Sequence, residues 1–256
     1  AISGYGQTGD YRLLPGHDIN YISFGGALGV IGNSDGAPAI PFNLIADYAA
    51  GGLISAVSIL SALWARERTG QGQFVDMSMT DGTLYLMAPV LANYFSSGTI
   101  PGPSAMRLNG GNPDYQAYKC SDGRYVSIGC LEKKFWVNLC TQLGREDLIV
   151  RQTDGAVIPE LQRIFETKTR DEWFGILHDK EIAIGKVLSA DELADNPHIK
   201  DRGMLVDVRD KEGGIVRQVG IASKLEGTPG QVRFAGVPAG EHTDDVIRSL
   251  GYDDND

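Results

Sequence analysis

The chain has 256 residues, 42% hydrophobic and 22% charged, a composition typical of a soluble globular protein with one large or two modest domains. Its 33 acidic and 23 basic side chains give a formal net charge of −10, which argues against nucleic acid or an anionic membrane as a partner. The three cysteines form no CxxC pair and the four histidines form no HxxxH or HExxH pattern, so we expect reduced thiols in a cytosolic protein and no metal site.

Residues 1–43 are rich in glycine and contain three prolines, which predicts loops and short helical turns. Neither an initiator methionine nor a signal peptide is present, and residues 1–3 resemble the end of a strand, so we expect a longer protein around this chain. Residues 44–68 give the strongest helix prediction, because Asn43 can cap this segment and Gly70 can end it. The segment is apolar but broken by serines, which favours a buried helix over a membrane span.

The elements that follow are shorter. The pair of glycines at residues 51–52 costs about 1 kcal/mol per residue relative to alanine, which predicts that a ligand or a second backbone lies close by. Residues 73–79 alternate like a strand, and residues 80–95 predict an apolar helix kinked at Pro89. Residues 96–113, with three prolines and four glycines, predict a linker at a domain boundary. Beyond it the sequence predicts hairpins over 115–129 and 205–219, and helices over 132–143, 159–167, 170–178, 190–201 and 243–250.

Residues 4–9 match the G-x-G-x-x-G fingerprint of dinucleotide sites. That fingerprint functions only where a strand leads into it and a helix begins at its third glycine, so that the pyrophosphate meets a helix N-terminus. Residues 10–15 contain a proline and show no helical period. We therefore favour a glycine-lined turn, which can still lie beside a ligand.

His17 lies in residues 16–21, a stretch in which Asp18 is the only charged residue. A lone histidine in a turn usually satisfies backbone groups. The alternative is a general base, since an imidazole with a pKa of about 6.5 is the natural neutral base at cellular pH. The second interpretation gains weight because Asp18 and, across the fold, Asp47 are the only other titrating groups that we expect nearby.

Asp47 and Glu132 each allow two interpretations. A carboxylate in the first turn of a helix is favoured by the helix dipole by about 0.3–1 kcal/mol without any catalytic role. The neighbours of Asp47 are uncharged and mostly apolar, however, and burial among them would raise its pKa and make it an acid or a base. Glu132, placed before two lysines, is on its own an ordinary first-turn residue of a helix.

Seven parts of the chain carry a resemblance when they are taken together: residues 3–9, 16–21, 43–47, 62–73 and 122–126, Glu132, and residues 240–251. In this order they resemble the class III coenzyme A transferase family (CaiB/BaiF type), and within it the α-methylacyl-CoA racemase branch. The resemblance spans nearly the whole chain.

The resemblance implies an α/β fold with a large α/β domain and a smaller α+β domain. The implied parts are a large-domain portion at 1–100, a linker at 101–114, the small domain at 115–225, and a return to the large domain at 226–256. It also implies an interlocked homodimer in which Glu132 of one chain meets His17 and Asp47 of the other.

Family members carry an N-terminal nucleotide-binding segment ahead of the position that matches Ala1. Within this chain Arg12 is the only lysine or arginine before Arg66. Coenzyme A brings several phosphate charges, so its basic cradle cannot lie in the first sixty or so residues of an acidic chain. We therefore expect much of the coenzyme A site to lie outside these residues.

The resemblance also assigns roles. In the racemase branch the positions matching His17 and Asp47 are the two proton-transfer groups, and Glu132 matches a residue that supports the histidine. In the transferase branch the residue aligned with Asp47 is a nucleophile that forms a mixed anhydride, and the histidine is lacking. The presence of His17 favours the racemase. The alternatives are a coenzyme A transferase and a truncated, non-catalytic binding fragment.

The chemistry expected of a racemase suits these groups. Neutral His17 would face one side of an acidic α-carbon and protonated Asp47 the other, inside a cleft that excludes water. One hydrogen-bond donor to the enolate oxygen typically stabilises the transition state by about 2.7–4 kcal/mol. We expect such donors from the turn at Gly16 and Asp18, supported by Tyr21 and Asn43. Coenzyme A arrives as part of the thioester substrate, and we expect this proton transfer to require no metal or redox cofactor.

Overall fold

The structure, a computed structural model, describes residues 1–33 and 35–253. Helices and small sheets alternate along these residues, which confirms the predicted mixed α/β class. They form two compact units, Ala1–Val187 and Leu188–Asp256. The domain boundaries at residues 100, 114 and 225 stay predictions.

The N-terminal part of the first unit combines a pair of short parallel strands with helices. Its elements are β1 (Ile2–Ser3), α1 (Asp18–Phe24), α2 (Leu44–Thr69), β2 (Met77–Ser78), α3 (Met79–Leu86) and α4 (Ala88–Ser97). Ile22, Ala46 and Met87 are buried together at its core. The strand predicted over 73–79 is reduced to β2, and the predicted kink is a break at Met87, with Pro89 in the first turn of α4.

The long helix α2 confirms the strongest helix prediction and differs from it at the N-terminus. Its first ten residues, Leu44–Leu53, form a π-helix, and the α-helix begins at Ile54. At the other end Gly70 adopts a φ of 71° and donates its N–H to the carbonyl of Arg66, as a C-terminal glycine should. The prediction that Asn43 caps the helix is wrong, because the Asn43 side chain accepts no N–H of the first turn.

The expectation that α2 is buried is also wrong for this chain by itself. Leu53, Leu60 and Trp64 are 69%, 66% and 67% exposed. By length and composition alone α2 could cross a membrane, and 22% of its most apolar window is buried. A core helix of a soluble protein passes the same test. The π-helical first part of α2 packs against α1 and α3, and the helix is apolar on more than these sides, so the remaining apolar residues stay open to solvent.

Small residues explain how closely α2 and α3 approach each other. A β-carbon on Gly82 of α3 would lie 2.7 Å from the β-carbon of Ala50, and one on Gly51 would lie 3.0 Å from Cγ of Met79. Real β-carbons do not come so close without displacing a neighbour. The close neighbour predicted beside residues 51–52 is helix α3 at Gly51, whereas a β-carbon on Gly52 would meet only the carbonyl of Asp47 in its own helix.

The rest of the first unit packs helices against one face of an antiparallel sheet. Its elements are β3 (Tyr115–Lys119), β4 (Tyr125–Gly129), α5 (Lys133–Gln142), α6 (Ile158–Phe165), α7 (Arg170–Leu177) and β5 (Ile184–Lys186). Tyr118, Val126, Trp136 and Phe165 lie in its buried core. The predicted hairpin and helices are confirmed, and β5 was not predicted.

The second unit contains α8 (Ala190–Asp195), α9 (Pro197–Asp201), the β6–β7 hairpin (Leu205–Arg209 with Ile215–Val219) and α10 (Thr243–Ser249). The hairpin forms as predicted. The single helix predicted over 190–201 is two helices, because Asn196 leaves the helical conformation before Pro197 and caps the second helix with its side chain.

Candidate active site

The glycine-rich turn at residues 4–9 packs against an aromatic ring and begins no helix. A β-carbon on Gly4 would lie 2.6 Å from Cζ of Tyr21, and one on Gly16 would lie 2.8 Å from Cε1 of the same ring. The turn is held by the N–H of Gly6, which donates to Oγ of Ser3. This geometry supports the glycine-lined turn over a dinucleotide fingerprint.

Tyr21 fixes the loop that carries His17. Its hydroxyl donates a hydrogen bond to the carbonyl of Gly16. Burial raises the pKa of Tyr21, and electrostatic repulsion from the neighbouring acidic groups of Tyr5 and Asp47 raises it further, so the hydroxyl remains a donor at neutral pH. His17 precedes α1 in extended conformation, and its N–H donates to Oδ1 of Asn20 at 3.1 Å.

Asp18 joins this loop to helix α2. Its side chain is 5% exposed, and Oδ2 accepts hydrogen bonds from the backbone N–H groups of Ala46 at 2.8 Å and Asp47 at 2.9 Å. The carboxylate thus satisfies first-turn donors of α2 and complements the helix dipole. Among the described residues Oδ1 of Asp18 has no partner. The residue next to His17 therefore positions the helix turn that contains Asp47.

His17 and Asp47 line the same cavity, which has a volume of about 490 Å³. Its lining consists of His17, Asp18, Ile19, Ile40, Phe42, Asn43 and Asp47. Nδ2 of Asn43 donates to Oδ2 of Asp47 at 3.0 Å. The imidazole of His17 is exposed and Asp47 is half-buried, so the cavity of this chain is open to solvent, unlike the water-free cleft that we expected.

The other predicted site residues lie outside this cavity. Tyr21 and Gly16 form the wall behind the His17 loop and support it. Glu132 is exposed at the start of α5, where its carbonyl accepts the N–H groups of Phe135 and Trp136. Within the described residues no cluster of three or more His, Cys, Asp or Glu side chains could hold a metal ion.

The sequence did not point to the apolar side chains of the cavity. Ile40 and Phe42 are exposed and lie on the segment that leads into α2. Phe42 has a φ of 58°, a left-handed conformation that non-glycine residues rarely adopt. No local pattern indicates such a backbone. An acid–base pair beside an apolar wall can exchange protons with a carbon acid that carries an apolar chain.

Comparison with known proteins decides the family. The family model of CoA-transferase family III matches residues 1–243. The chain belongs to CoA-transferase family III. Among the relatives of this family III protein, the human (Homo sapiens) alpha-methylacyl-CoA racemase is 34% identical over 257 residues, which cover 98% of the chain and 66% of the racemase. The family III chain thus spans just under two thirds of the length of that relative.

Relatives of the family III protein include transferases. The succinyl-CoA–D-citramalate CoA-transferase of Chloroflexus aurantiacus is 27% identical over 97% of the chain and 64% of the transferase. The chain also matches the crystal structure of a CaiB/BaiF family protein from Brucella suis with a TM-score of 0.77 and 28% identity. The match covers 97% of this chain and 66% of the Brucella chain. The family III protein therefore has the CaiB/BaiF fold, and its relatives include both a racemase and transferases.

Proposed function

We propose that this family III enzyme racemises 2-methylacyl-CoA thioesters by moving the α-proton between His17 and Asp47 through an enolate. The observation that carries the proposal is that these two side chains line one cavity. The identity of 34% to the human racemase supports it. The proposal concerns the whole protein that contains this chain.

The two groups complement each other as proton carriers. Neutral His17 removes the α-proton from one face of the carbon, and protonated Asp47 delivers a proton to the other face. For the opposite enantiomer the roles exchange. Oδ2 of Asp47 already accepts a hydrogen bond from Nδ2 of Asn43, so Oδ1 of Asp47 is the oxygen that carries the transferred proton. A positioned general base typically contributes about 10²–10⁴-fold to such a step.

The enolate needs hydrogen-bond donors near His17. Asp18 is the first residue of α1, so its backbone N–H has no acceptor inside that helix. We place the thioester oxygen at this amide, while the Asp18 side chain stays committed to α2. Removing one donor of this kind typically costs about 10²–10³-fold in rate.

Glu132 enters the proposal through a second copy of the chain. It is exposed and does not line the cavity of its own chain. We propose a homodimer in which the carboxylate of Glu132 approaches His17 of the other copy and stabilises the imidazolium that forms during the reaction. Coenzyme A enters as part of the substrate, and we place most of its phosphate contacts outside this chain.

A coenzyme A transferase is the second candidate, and the similarity to the Chloroflexus transferase favours it. In that reaction Asp47 attacks the thioester carbonyl, forms a mixed anhydride and releases the thiolate of coenzyme A. The thiolate then attacks the Asp47 carbonyl of the anhydride, which releases the first carboxylic acid and leaves coenzyme A on Asp47 as a thioester. A second carboxylate attacks this thioester to form a new anhydride and release the thiolate, which attacks the acyl carbonyl, gives the new acyl-CoA and restores Asp47. His17 has no role in this scheme, although it lines the same cavity as Asp47.

Deuterium exchange separates the two candidates. The full-length protein is incubated in heavy water with a 2-methylacyl-CoA and no acceptor acid, and mass spectrometry follows label at the α-carbon. A racemase incorporates deuterium under these conditions, whereas a transferase reacts only after a free acid is added. His17→Ala should abolish exchange in the enantiomer whose α-hydrogen faces the imidazole, with the fold retained, and His198→Ala, at an exposed position of α9, should not. Unchanged exchange in His17→Ala would refute the proposal.

A further inference from the structure

The loop that presents Glu132 is held by side chains from two other segments. Residues 130 and 131 leave strand β4 and lead into α5, so their carbonyls lack strand partners. Nε2 of Gln152 donates to the carbonyls of both Cys130 and Leu131, each at 3.0 Å. Nη2 of Arg107 donates to the carbonyl of Leu131, also at 3.0 Å. The peptide group directly before Glu132 is thus fixed by two donors.

A buried carboxylate orients both donors. Asp114, which is 0% exposed, accepts a hydrogen bond on Oδ2 from Nη2 of Arg107 at 2.6 Å and from Nε2 of Gln152 at 3.2 Å. Its carbonyl also accepts the N–H of Cys130 at 2.7 Å. Charge-assisted bonds of this kind are about twice as strong as neutral ones and fix donor geometry. Asp114 thereby holds Arg107 and Gln152 against the carbonyl of Leu131.

The same network is tied to the part of the chain that carries His17. Arg107 belongs to a short 3₁₀ turn, Arg107–Asn109. Nδ2 of Asn109 donates to the carbonyl of Val30 at 2.9 Å and to that of Gly102 at 2.8 Å. Val30 follows α1 and packs in the same core as α1. A continuous series of contacts therefore runs from the α1 region, through one turn, to the peptide before Glu132.

We propose that Arg107, Asp114 and Gln152 are positioning residues that set where the Glu132 carboxylate lies in the active site. This inference rests on the proposed function. In a symmetric pair both copies use the same interface, so once that interface forms, a rigid link from the α1 region to Glu132 sets the approach of Glu132 to His17 of the second copy. A loose link would leave the carboxylate outside the distance at which it stabilises an imidazolium.

The alternative is that the buried Asp114–Arg107 pair only stabilises the fold. Breaking such a pair leaves an uncompensated buried charge and costs stability wherever it lies. A purely structural role predicts a lower melting temperature without a selective loss of turnover. A positioning role predicts a lower kcat as long as Glu132 is present. Once the Glu132 carboxylate has been removed, the same substitution should lower kcat little further.

A double-mutant cycle on the full-length protein tests the proposal, with α-proton exchange as the assay. Arg107→Gln should lower kcat by about ten-fold while KM changes by less than about two-fold, because the loop contacts no substrate in the proposed site. In the Glu132→Gln background the same substitution should lower kcat by less than about two-fold further. Arg107→Lys, whose ammonium group can serve both acceptors, should recover part of the loss.

Arg145→Gln is the matched control, because among the described residues the Arg145 side chain forms ion pairs with Asp147 and Glu160 in the same unit and no hydrogen bond to the Glu132 loop. It should lower the melting temperature and leave kcat unchanged. If Arg107→Gln does not fold, Gln152→Met, which removes the two bonds to the loop at similar volume, takes its place. The inference would be overturned if the losses of kcat in Arg107→Gln and Glu132→Gln multiplied in the double variant. A folded Arg107→Gln with full kcat would overturn it as well. Failure of the wild-type protein to exchange protons would instead overturn the proposed function on which it rests.

Discussion

Oδ2 of Asp18 lies 2.9 Å from the backbone nitrogen of Asp47, so the residue next to the candidate base holds the helix turn of the candidate acid. The relationship spans 29 positions in sequence and joins α1 to the π-helical start of α2. π-Helical segments often occur at functional sites. One carboxylate thereby controls the relative placement of both proton carriers.

Asp18→Ala should therefore weaken both stability and catalysis. It removes the acceptor for two first-turn donors, a loss typical of helix caps of about 0.5–2 kcal/mol in the free energy of unfolding. Urea unfolding measures that loss, and deuterium exchange should fall with it. Asp18→Asn keeps an acceptor oxygen and should lose less of both. Equal stability of Asp18→Ala and the wild type would show that the contact to α2 contributes nothing.

Asp47→Asn should separate racemisation from exchange. His17 alone can still remove and return a proton on its own face, so label should enter the enantiomer whose α-hydrogen faces the imidazole. Without an acid on the opposite face, inversion should fall by at least about 10²-fold. Chiral analysis of the labelled product measures both rates. A transferase would lose all turnover in this variant, because Asp47 is its nucleophile, and that result would favour the second candidate.

The sequence predicted those elements whose signals are local. The alternation of side chains along short segments predicts both hairpins. An apolar helical segment that ends at a glycine predicts helix α2. Strand β5 has three residues, and its partner β4 lies more than fifty positions earlier, so no local period indicates it.

Relationships between distant residues could not be predicted in this way. The cap of α2 comes from Asp18 and not from the adjacent Asn43, whose Nδ2 instead donates to Asp47. The exposure of α2 depends on what lies beside it, which its own apolar sequence does not specify. The left-handed Phe42 likewise depends on its surroundings. The assignment of His17, Asp47 and Glu132 came from family resemblance, and their roles stay predictions.

The buried cysteines should be inert in the folded protein. Burial raises the pKa of Cys130 from an ordinary value of 9.0 to about 12 and that of Cys140 to about 11. Both thiols are therefore neutral at pH 8, and the thiolate is the reactive species. A disulfide reagent should modify them at least about 10²-fold more slowly in native protein than in urea. Rapid modification at a rate independent of urea would contradict this burial.

The same shifts predict a loss of stability in alkali. The folded pKa lies above the unfolded value, so between pH 9.0 and about 11 the folded state binds more protons than the unfolded state. The free energy of unfolding should therefore be unaffected by these thiols below pH 9.0 and should fall as the pH rises through that window. Urea unfolding at several pH values measures the slope, and Cys130→Ala should make it shallower. A slope that Cys130→Ala leaves unchanged would contradict the assignment.

Gly4→Ala tests whether the glycine-rich turn is structural. The new methyl group would lie 2.6 Å from Cζ of Tyr21, so the ring must move, and its hydroxyl would lose the carbonyl of Gly16 beside His17. Overpacking of this kind typically costs about 1–3 kcal/mol. We expect that loss in urea unfolding together with slower proton exchange, whereas Gly72→Ala, which meets no atom within 4 Å, should change neither. If Gly4→Ala instead left stability intact and abolished binding of a dinucleotide, the fingerprint interpretation would replace the structural one.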